Sequence, residues 1–339
     1  MSLPQRILVI RLSAMGDVAM CVPVLLALHK KYPNVEVITL SRKRFKSILQ
    51  PLPNVAFVEA QVDDVHKGVL GLWKLAKTLK SHNIEAVADF HGVLRSSILR
   101  KFLNKSATAV IDKGRSDKKK LVKDPSFFKP LKHTTERYAD VLRDLGFEIT
   151  LEDDFLEKRS VSTQIHQKIG ANTSKWIGFA PFAAHRTKAL GLEKATEIAQ
   201  EIVNLPDVKL LLFGGGKKET QLLNQIAQRT GAINLASQFN FEQELDIISN
   251  LDVMIAMDSG NGHLAAMYGV PVITLWGNTH PYAGFAPYAQ LPENQITVDR
   301  VAYPKVPTSI FGKTIIDGYE TVTDTIETSR VVKELGELL

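Results

Sequence analysis

The strongest constraint on the fold is the regular alternation of short β-branched segments with amphipathic helical segments. The strand-like segments of the first half are Arg6–Arg11, Val35–Leu40, Val55–Glu59, Ala86–Phe90 and Ala107–Ile111. Residues 68–81 have apolar side chains at helical spacing, and a second helical pattern over 133–145 ends at Gly146. Strands separated by helices of this length predict a parallel sheet covered by helices on both faces.

A second series of the same kind follows a polar stretch at 151–174 that has little apolar periodicity. Its strand-like segments are Trp176–Pro181, Val208–Phe213, Ala232–Leu235, Asp252–Met257 and Val270–Leu275. The chain has 339 residues, which exceeds the usual size of a single hydrophobic core. The sequence therefore predicts two α/β domains, with ligands bound where the strands end.

The composition excludes several classes of protein. No apolar run approaches the roughly 20 residues that a membrane-spanning helix needs, and the first residues lack the layout of a signal peptide. The single cysteine, Cys21, excludes an internal disulfide and a cysteine-based zinc cluster. We therefore expect a cytoplasmic protein.

The formal net charge of +6 is concentrated in one stretch. Between residues 113 and 132 only Asp117 and Asp124 oppose a run of eight cations: Lys113, Arg115, Lys118, Lys119, Lys120, Lys123, Lys129 and Lys132. Such a stretch attracts a phosphorylated polymer, an anionic membrane surface or nucleic acid. The alternative is a solvated loop without a partner.

The sequence from Asp258 to His263, Asp-Ser-Gly-Asn-Gly-His, follows a strand and precedes a helix of small residues. Its two glycines allow a sharp turn and a close approach of the backbone to a ligand. The start of the following helix directs free N–H groups and a positive dipole at the same point. We therefore expect an anion here, such as the diphosphate of a nucleotide; the alternative is a tight turn that binds nothing.

The first strand leads into the loop Arg11–Asp17, where Gly16 is expected to permit a sharp turn and Asp17 to stand near a helix start. Pro23 then kinks the next helix or marks its first turn. Asp17 has two possible roles. It caps the helix, or its carboxylate takes a proton from an acceptor hydroxyl group.

Three more loops follow strands of the second series. Pro181–Lys188 provides cations that neutralise a leaving diphosphate, Gly214–Gly216 accommodates a ribose or base, and Gly277–Pro281 lies beside the Asp258 turn. The alternatives are ordinary surface charge for the first loop and a plain connecting loop for the last. The sequence has no Asp-x-Asp pair near a strand end, so this signal of a metal site is missing.

Several motifs occur in the order found in the family 9 glycosyltransferases, the ADP-heptose:lipopolysaccharide heptosyltransferases and their relatives, and the chain resembles this family from about residue 6 to 281. The motifs are Arg11–Val18 with Pro23, Asp89–Gly92 with Arg95-Ser96, and Asp258–Ala266 with Gly277–Pro281. The resemblance implies a GT-B fold, in which two Rossmann-like, doubly wound parallel-sheet domains face a central cleft. Residues 1–165 would bind the acceptor and 166–321 the nucleotide sugar, while the helix 322–339 packs back on the first domain.

The resemblance also implies roles for single residues. Asp17 matches the catalytic base. The donor-binding residues would be Lys188, Asp258, Ser259, Gly260 and His263, with Glu219 as a ribose-binding acid and Phe239 as an adenine-packing residue in looser correspondence. For the acceptor we assign Ser13, Gly16, His91 and Arg95, together with Lys118, Lys119 and Lys120 of the basic stretch.

The implied activity is inverting, metal-independent transfer of a sugar, heptose from ADP-heptose, to a lipopolysaccharide core or related surface glycan. The expected partners are the nucleotide sugar, a phosphorylated glycolipid acceptor and the inner membrane surface, with no cofactor, no metal and no nucleic acid. Departures from the family pattern at Asn261-Gly262 and Ala189-Leu190 touch the donor pocket. The alternatives are a GT-B-like sugar-nucleotide epimerase and a non-catalytic nucleotide-sugar-binding protein.

Overall fold

The computed structural model describes residues 3–170 and 174–339, which form two compact units. Unit 1 contains residues 3–115 and 132–156, and unit 2 contains residues 116–131 and 157–339. We predicted that the chain passes from the first domain to the second at residues 165–166 and returns to the first with the helix 322–339. In the structure the chain passes to unit 2 after Leu156, and the segment 116–131 also belongs to unit 2. Within the described ranges, no helix is both long and apolar enough to cross a membrane.

Unit 1 is a five-stranded parallel sheet with helices between its strands, as far as the described residues extend. Its elements are β1 (Arg6–Ile10), α1 (Met15–Ala19), α2 (Cys21–Lys31), β2 (Glu36–Ser41), α3 (Lys46–Leu49), β3 (Val55–Glu59), α4 (Gly68–Lys80), β4 (Ala86–Asp89), α5 (Leu94–Leu103), β5 (Ala107–Val110) and, beyond α6 (Arg115–Lys123) at the border with unit 2, α7 (Thr134–Asp144).

The strand order of unit 1 is β3-β2-β1-β4-β5. The chain builds the sheet outward from β1 to β3 and then returns, so that β4 pairs with the free side of β1, with Ile7 opposite Ala86. The loops that follow β1 and β4 are therefore neighbours at the carboxyl edge. In open α/β sheets, this reversal of strand order is where ligands bind.

The core of unit 1 explains why its helices pack as they do. Leu8, Ile38 and Val87 point from the sheet into one cluster, which α4 enters with its buried face of Leu72, Leu75, Ala76 and Leu79. Full burial of a leucine contributes about 1.5–3 kcal/mol. The inner face of α4 therefore holds the helix on the sheet without help from its outer face.

Unit 2 is a six-stranded parallel sheet in the order β11-β10-β9-β6-β7-β8, again for the residues described. Its elements are α8 (Thr163–Ile169), β6 (Lys175–Ala180), α9 (Leu192–Val203), β7 (Val208–Leu212), α10 (Lys217–Thr230), β8 (Ile233–Asn234), α11 (Phe241–Ile248), β9 (Val253–Met257), α12 (Gly260–Ala266), β10 (Val272–Trp276), β11 (Gln295–Thr297) and α13 (Thr328–Leu338). The predicted strands are present, and β11 was not predicted.

The strand order of unit 2 also reverses once. The chain runs outward from β6 to β8, and β9 then pairs with the other side of β6, with Ile177 opposite Val253. The loops after β6 and β9 are therefore adjacent at the carboxyl edge of this sheet, and the loop after β10 lies next to them.

The C-terminal helix α13 belongs to unit 2. It packs on α9 and β10, and its apolar residues Val331 and Leu335 join the core of that unit. The resemblance had placed this helix on the N-terminal domain. The structure places it on unit 2 because residues four apart form one apolar stripe that this core buries.

Pro23 occupies the position that the sequence suggested. Helix α1 ends at Ala19 and α2 begins at Cys21, so the proline lies in the first turn of α2. Its missing N–H is not needed there, because the first turn of a helix has no carbonyl partner for that group.

Candidate active site

The carboxylate of Asp17 lies at the carboxyl edge of the unit 1 sheet, in the first turn of α1. Its Oδ2 accepts a hydrogen bond from the backbone N–H of Ala14 at 3.1 Å and pairs with Nη2 of Arg11 at 2.6 Å. The side chain is one-quarter exposed. Asp17 therefore does stabilise the helix start. Because both contacts engage the same oxygen, Oδ1 can still accept a proton.

Arg11 is a site residue for which the sequence predicted no role. It is buried, its Nη1 donates to the carbonyl of Phe90 at 2.8 Å, and its guanidinium carbon lies 5.7 Å from the ring centre of Tyr138. The Tyr138 hydroxyl in turn donates to the carbonyl of Asp17 at 3.4 Å. Arg11 thereby connects the loops after β1 and β4 and fixes the Asp17 carboxylate between them. The sequence signal for this role is that Arg11 directly follows a strand and precedes Asp17 by six residues.

The interpretation of Gly16 as a sharp-turn residue is wrong. Gly16 lies inside α1, does not have a positive φ, and its carbonyl accepts a helical hydrogen bond from Met20 N at 2.9 Å. The chain turns earlier, before α1 begins at Met15, in the segment that contains the partly buried Ser13.

The turn after β4 is built around the fully buried Asp89. One carboxylate oxygen accepts from the N–H groups of His91 at 3.0 Å and Gly92 at 2.8 Å, and the other pairs with Arg100 at 2.9 Å. Both oxygens of Asp89 thus make structural contacts, one as a hydrogen-bond acceptor and the other in an ion pair. Its function is to hold His91 at the sheet edge beside the Arg11–Asp17 pair.

His91 and Lys113 extend this cluster. The pKa of His91 is lowered to about 4, first by burial and then by the cations Arg11 and Lys113. The pKa of Lys113 is lowered too, by burial and then by the charges of Arg11 and Arg115. His91 is therefore neutral near pH 7, and its buried Nδ1 has no hydrogen-bond partner among the described residues. Lys113 belonged to the basic stretch but was not among the lysines assigned to the acceptor.

Arg95 is exposed in the first turn of α5, where its guanidinium lies 4.0 Å from a carboxylate oxygen of Asp63. An exposed pair at this distance contributes little to stability. The side chain is therefore accessible, and its assignment to the acceptor stays a prediction.

In unit 2, Lys188 and Asp258 meet across the loops after β6 and β9. Lys188 Nζ lies 2.8 Å from Asp258 Oδ2, and both side chains are largely buried. The Thr279 hydroxyl, from the loop after β10, donates to the same oxygen at 2.8 Å. Three predicted loops therefore converge on one point, and Thr279 is a further site residue for which the sequence predicted no role.

The turn at Asp258 differs in detail from the prediction. Gly260 and Gly262 both lie inside α12, and neither has a positive φ, so the direction changes at Ser259. The Ser259 hydroxyl is buried and has no hydrogen-bond partner among the described residues. A buried unpaired hydroxyl is costly, which indicates that a ligand can use it. His263 is buried on α12.

Glu219 and Phe239 follow the neighbouring strands β7 and β8. Glu219, in the first turn of α10, accepts from the N–H of Gly215 at 2.9 Å. The hydroxyls of Thr220 in α10 and Ser237 in the loop after β8 lie 3.3 Å apart. Phe239 is in the same loop as Ser237 and is partly exposed. The structure thus brings the start of α10, with its acid, next to the loop that holds the aromatic ring.

Residues 116–131 of the basic segment pack on unit 2, whereas Lys113, Arg115 and Lys132 belong to unit 1. The segment contains α6. The ring centre of its Phe128 lies 4.8 Å from the ring centre of His280 and 3.3 Å from the guanidinium carbon of Arg300. Lys118 is buried with Nζ 3.9 Å above the ring of Phe285, whereas Lys119 and Lys120 are exposed. The assignment of Lys118 as an acceptor-binding cation therefore does not fit its packing.

Comparison with known proteins agrees with this architecture. Residues 72–313 match glycosyltransferase family 9 (heptosyltransferase). The lipopolysaccharide core heptosyltransferase OpsX of Haemophilus influenzae is 24% identical over 311 residues, which cover 87% of this chain and 85% of that protein.

Solved structures extend the similarity to the whole fold. A family 9 glycosyl transferase from Veillonella parvula has a TM-score of 0.79 and 19% identity, covering 100% of this chain and 98% of the other. Structures of the E. coli heptosyltransferase WaaC with ADP and with ADP-2-deoxy-2-fluoro heptose have TM-scores of 0.70 and 0.69 at 15% identity, covering 98% of this chain and 100% of the other.

The two parallel-sheet units, each with polar side chains gathered where its strand order reverses, have the GT-B fold. The chain belongs to glycosyltransferase family 9, and it is a glycosyltransferase.

Proposed function

We propose that the protein transfers heptose from ADP-heptose to a lipopolysaccharide core or related surface glycan, with inversion and without a metal ion. Unit 2 binds the nucleotide sugar, and unit 1 binds the acceptor. The names of the relatives and the ADP-heptose analogue in a structural neighbour support this choice of sugar and nucleotide. The enzyme would act on the cytoplasmic side, in peripheral contact with the inner membrane.

The arrangement of Lys188, Asp258 and Ser259 carries the proposal. Asp258 pairs with the ammonium group of Lys188, and both side chains are largely buried. A donor diphosphate would offer that cation a second partner and give the unpaired hydroxyl of Ser259 an acceptor. Negative charge grows on the diphosphate as the sugar leaves, so a fixed cation stabilises the transition state more than the ground state. This is the role that a metal ion plays in other transferases.

Asp17 supplies the other half of the chemistry. As the acceptor hydroxyl attacks the anomeric carbon, its proton passes to the carboxylate, and the bond from that carbon to the diphosphate breaks. Arg11 holds Oδ2 of Asp17, so Oδ1 is the oxygen that takes the proton. His91 and Lys113 lie beside the pair, where a neutral imidazole and a cation can orient an anionic acceptor.

The test is an incubation of the protein with ADP-heptose, with and without a heptose-free lipopolysaccharide acceptor, followed by mass spectrometry. We expect ADP and a heptosylated acceptor only when both substrates are present. Formation of an isomerised nucleotide sugar without an acceptor would indicate the epimerase alternative. Binding of ADP-heptose without turnover under either condition would indicate a binding protein. Parallel reactions with GDP-, UDP- and TDP-sugars identify the nucleotide.

A further inference from the structure

Large apolar side chains are exposed around the first turns of α4 and α5. They are Val65, Val69, Leu70, Trp73 and Leu94, with exposed fractions of 53%, 57%, 78%, 51% and 79%. We refer to these five residues as the Trp73 surface. The inner face of α4 already fills the core of unit 1, so the fold does not require these residues to be apolar. An exposed apolar cluster of this kind is typical of an interaction site.

The Trp73 surface lies at the carboxyl edge of the unit 1 sheet. Helix α4 starts after β3 and α5 starts after β4, and the two helices pack side by side. Asp17 and His91 follow strands of the same sheet at the same edge. A partner bound to the Trp73 surface would therefore approach unit 1 from the side of its catalytic carboxylate.

The charges around this surface indicate the chemistry of the partner. Helix α4 contains no acidic residue, and its lysines Lys74, Lys77 and Lys80 are exposed. Lys67 precedes it, and Arg95 follows Leu94. The opposing carboxylates are Glu59 at the end of β3, Asp63, which pairs with Arg42, and Asp64. Tryptophan and leucine beside an excess of lysine are typical of helices that lie in the interface of an anionic bilayer.

A second copy of the chain fits this surface less well. A two-fold symmetric contact would oppose the same patch on both copies. It would bring Lys74 and Lys77 of one copy towards the same lysines of the other, and like charges repel. An anionic lipid surface instead offers opposite charge to these lysines and an apolar boundary to the leucines.

We propose that the Trp73 surface docks unit 1 on an anionic lipid bilayer, with Leu70, Trp73 and Leu94 inserted at the headgroup boundary. This inference rests on the proposed function in one respect, since a glycolipid acceptor resides in that bilayer. The docking itself is independent of any reaction. It also differs from the basic segment 113–132, which lies elsewhere in the chain and is rich in charge.

The test uses the intrinsic fluorescence of the protein. Trp73 is exposed, whereas the other two tryptophans, Trp176 and Trp276, are buried at 0% and 1% exposure. Vesicles of phosphatidylethanolamine and phosphatidylglycerol should shift the emission to shorter wavelength, and brominated acyl chains should quench it. Neutral phosphatidylcholine vesicles should neither shift nor quench the emission at the same lipid concentration, because an uncharged surface does not attract the lysines.

Substitutions assign the effect to this surface. Leu70→Ser with Leu94→Ser should weaken vesicle binding by about ten-fold or more, since these leucines lose their transfer to the apolar phase. Leu291→Ser is the matched control, because Leu291 is an exposed leucine of unit 2 with 62% exposure. All of these side chains are exposed, so we expect the variants to fold as the parent does.

Each outcome either supports or overturns the docking proposal. An unshifted Trp73 emission with anionic vesicles overturns the proposal, and so does equal loss of binding in the Leu291 control. A Leu70–Leu94 variant that binds vesicles normally but no longer forms a dimer, as seen by light scattering, assigns the surface to a second copy. Transfer to a deacylated, water-soluble acceptor reports on the proposed function alone, and the Leu70–Leu94 variant should retain it.

Discussion

Arg11 holds the Asp17 carboxylate from a buried position directly after β1. Arg11→Met removes the ion pair and the hydrogen bond to the Phe90 carbonyl. We expect kcat to fall by about 10²-fold through misplacement of the carboxylate, with unchanged affinity for ADP, since Arg11 lies in unit 1. Arg11→Lys keeps the charge but not the two-pronged geometry, so it should recover part of kcat. If both variants have parental kcat and only a lower Tm, Arg11 has a purely structural role.

Gly312 supports the position of Lys188. It has a φ of +68°, and a Cβ at this position would overlap the aliphatic stem of Lys188. Gly312→Ala should therefore displace the lysine and weaken ADP binding, which calorimetry can measure. The left-handed backbone adds a cost of about 1–2 kcal/mol to the stability of any alanine variant there.

Gly318→Ala is the matched control for that backbone cost. Gly318 has a φ of +78°, and no heavy atom lies within 4 Å of where its Cβ would be. We expect both variants to lose the stability that the left-handed backbone costs, with a larger loss in Gly312→Ala because its Cβ also displaces Lys188. Only Gly312→Ala should bind ADP more weakly. Equal ADP affinities in the two variants would show that Lys188 does not contact the donor.

At the scale of elements, helix α6 divides the lysines of the basic segment into two kinds. Lys118 is buried against Phe285, while Lys119 and Lys120 face solvent. Replacement of Lys119 and Lys120 by serine should raise the apparent KM for an anionic acceptor and flatten its dependence on salt. Steady-state kinetics at several ionic strengths provide the measurement.

Two controls accompany this prediction. Lys333→Ser removes a largely exposed lysine of α13 and should leave the acceptor KM unchanged. Lys118→Ser should lower the Tm, because it removes a buried stem and a cation–π contact. If the acceptor KM at low salt is unchanged when Lys119 and Lys120 are replaced, the segment is a solvated run of charges that does not bind the acceptor.

The apolar segments predicted most strands well because each of these strands is a short, continuous run of β-branched and apolar residues. The apolar pattern failed for β11, which is three residues long and depends on pairing with β10. It also failed for the segment 116–131. That segment is held on unit 2 by contacts such as Phe128 with His280 and Arg300. These partners are distant in sequence, so no local pattern reveals the contact.

The glycines of two motifs show a second limit of pattern reading. Gly16 and Gly260 looked like turn residues, yet both adopt helical backbone at the start of α1 and α12. A glycine permits a left-handed conformation but does not impose it. The sequence therefore located the two loops correctly and misassigned the residue at which each loop turns.

At the scale of the whole molecule, buried titratable groups make stability depend on pH in opposing directions. Burial lowers the pKa of His280 to about 4, with a further contribution from Arg300, and burial raises the pKa of Glu244 to about 7. Between about pH 4 and 6.5 the unfolded chain protonates this histidine more readily than the folded one does. The His280 contribution to stability is therefore complete above pH 6.5 and is lost as the pH falls. The Glu244 contribution is complete below about pH 4.5 and is lost as the pH rises through 7.

Two variants separate these contributions. The measured quantity is the free energy of unfolding at pH 7.5 minus that at pH 5, from urea denaturation. His280→Asn should decrease this difference, because it removes a group that destabilises the fold at low pH, and Asn can still accept the Tyr282 N–H. Glu244→Gln should increase it. A change of the same sign in both variants would contradict the assignment of these pKa shifts.

The site could be predicted from the sequence only in separate pieces. Asp17, Lys188 and Asp258 each follow a strand, and the resemblance to family 9 gave them roles. The Lys188–Asp258 contact joins loops after β6 and β9, which are neighbours only because β9 returns to the free side of β6. Lys113 reaches its position for a similar reason, after β5 on the far side of β4. Strand order is a property of the complete sheet, so these pairings required the structure.

The central claim is that Asp17 takes the acceptor proton in a reaction that needs no metal ion. The most direct measurement is the single-turnover rate of heptosyl transfer by the parent protein and by Asp17→Asn, both in excess EDTA. Asparagine can still accept the Ala14 N–H, so the helix start should persist. We predict an unaffected parent rate, a loss of about 10²–10⁴-fold in the variant, and equal ADP-heptose affinity in the two proteins. A variant that transfers heptose at the parental rate, or a parent protein that EDTA inactivates, would contradict the account.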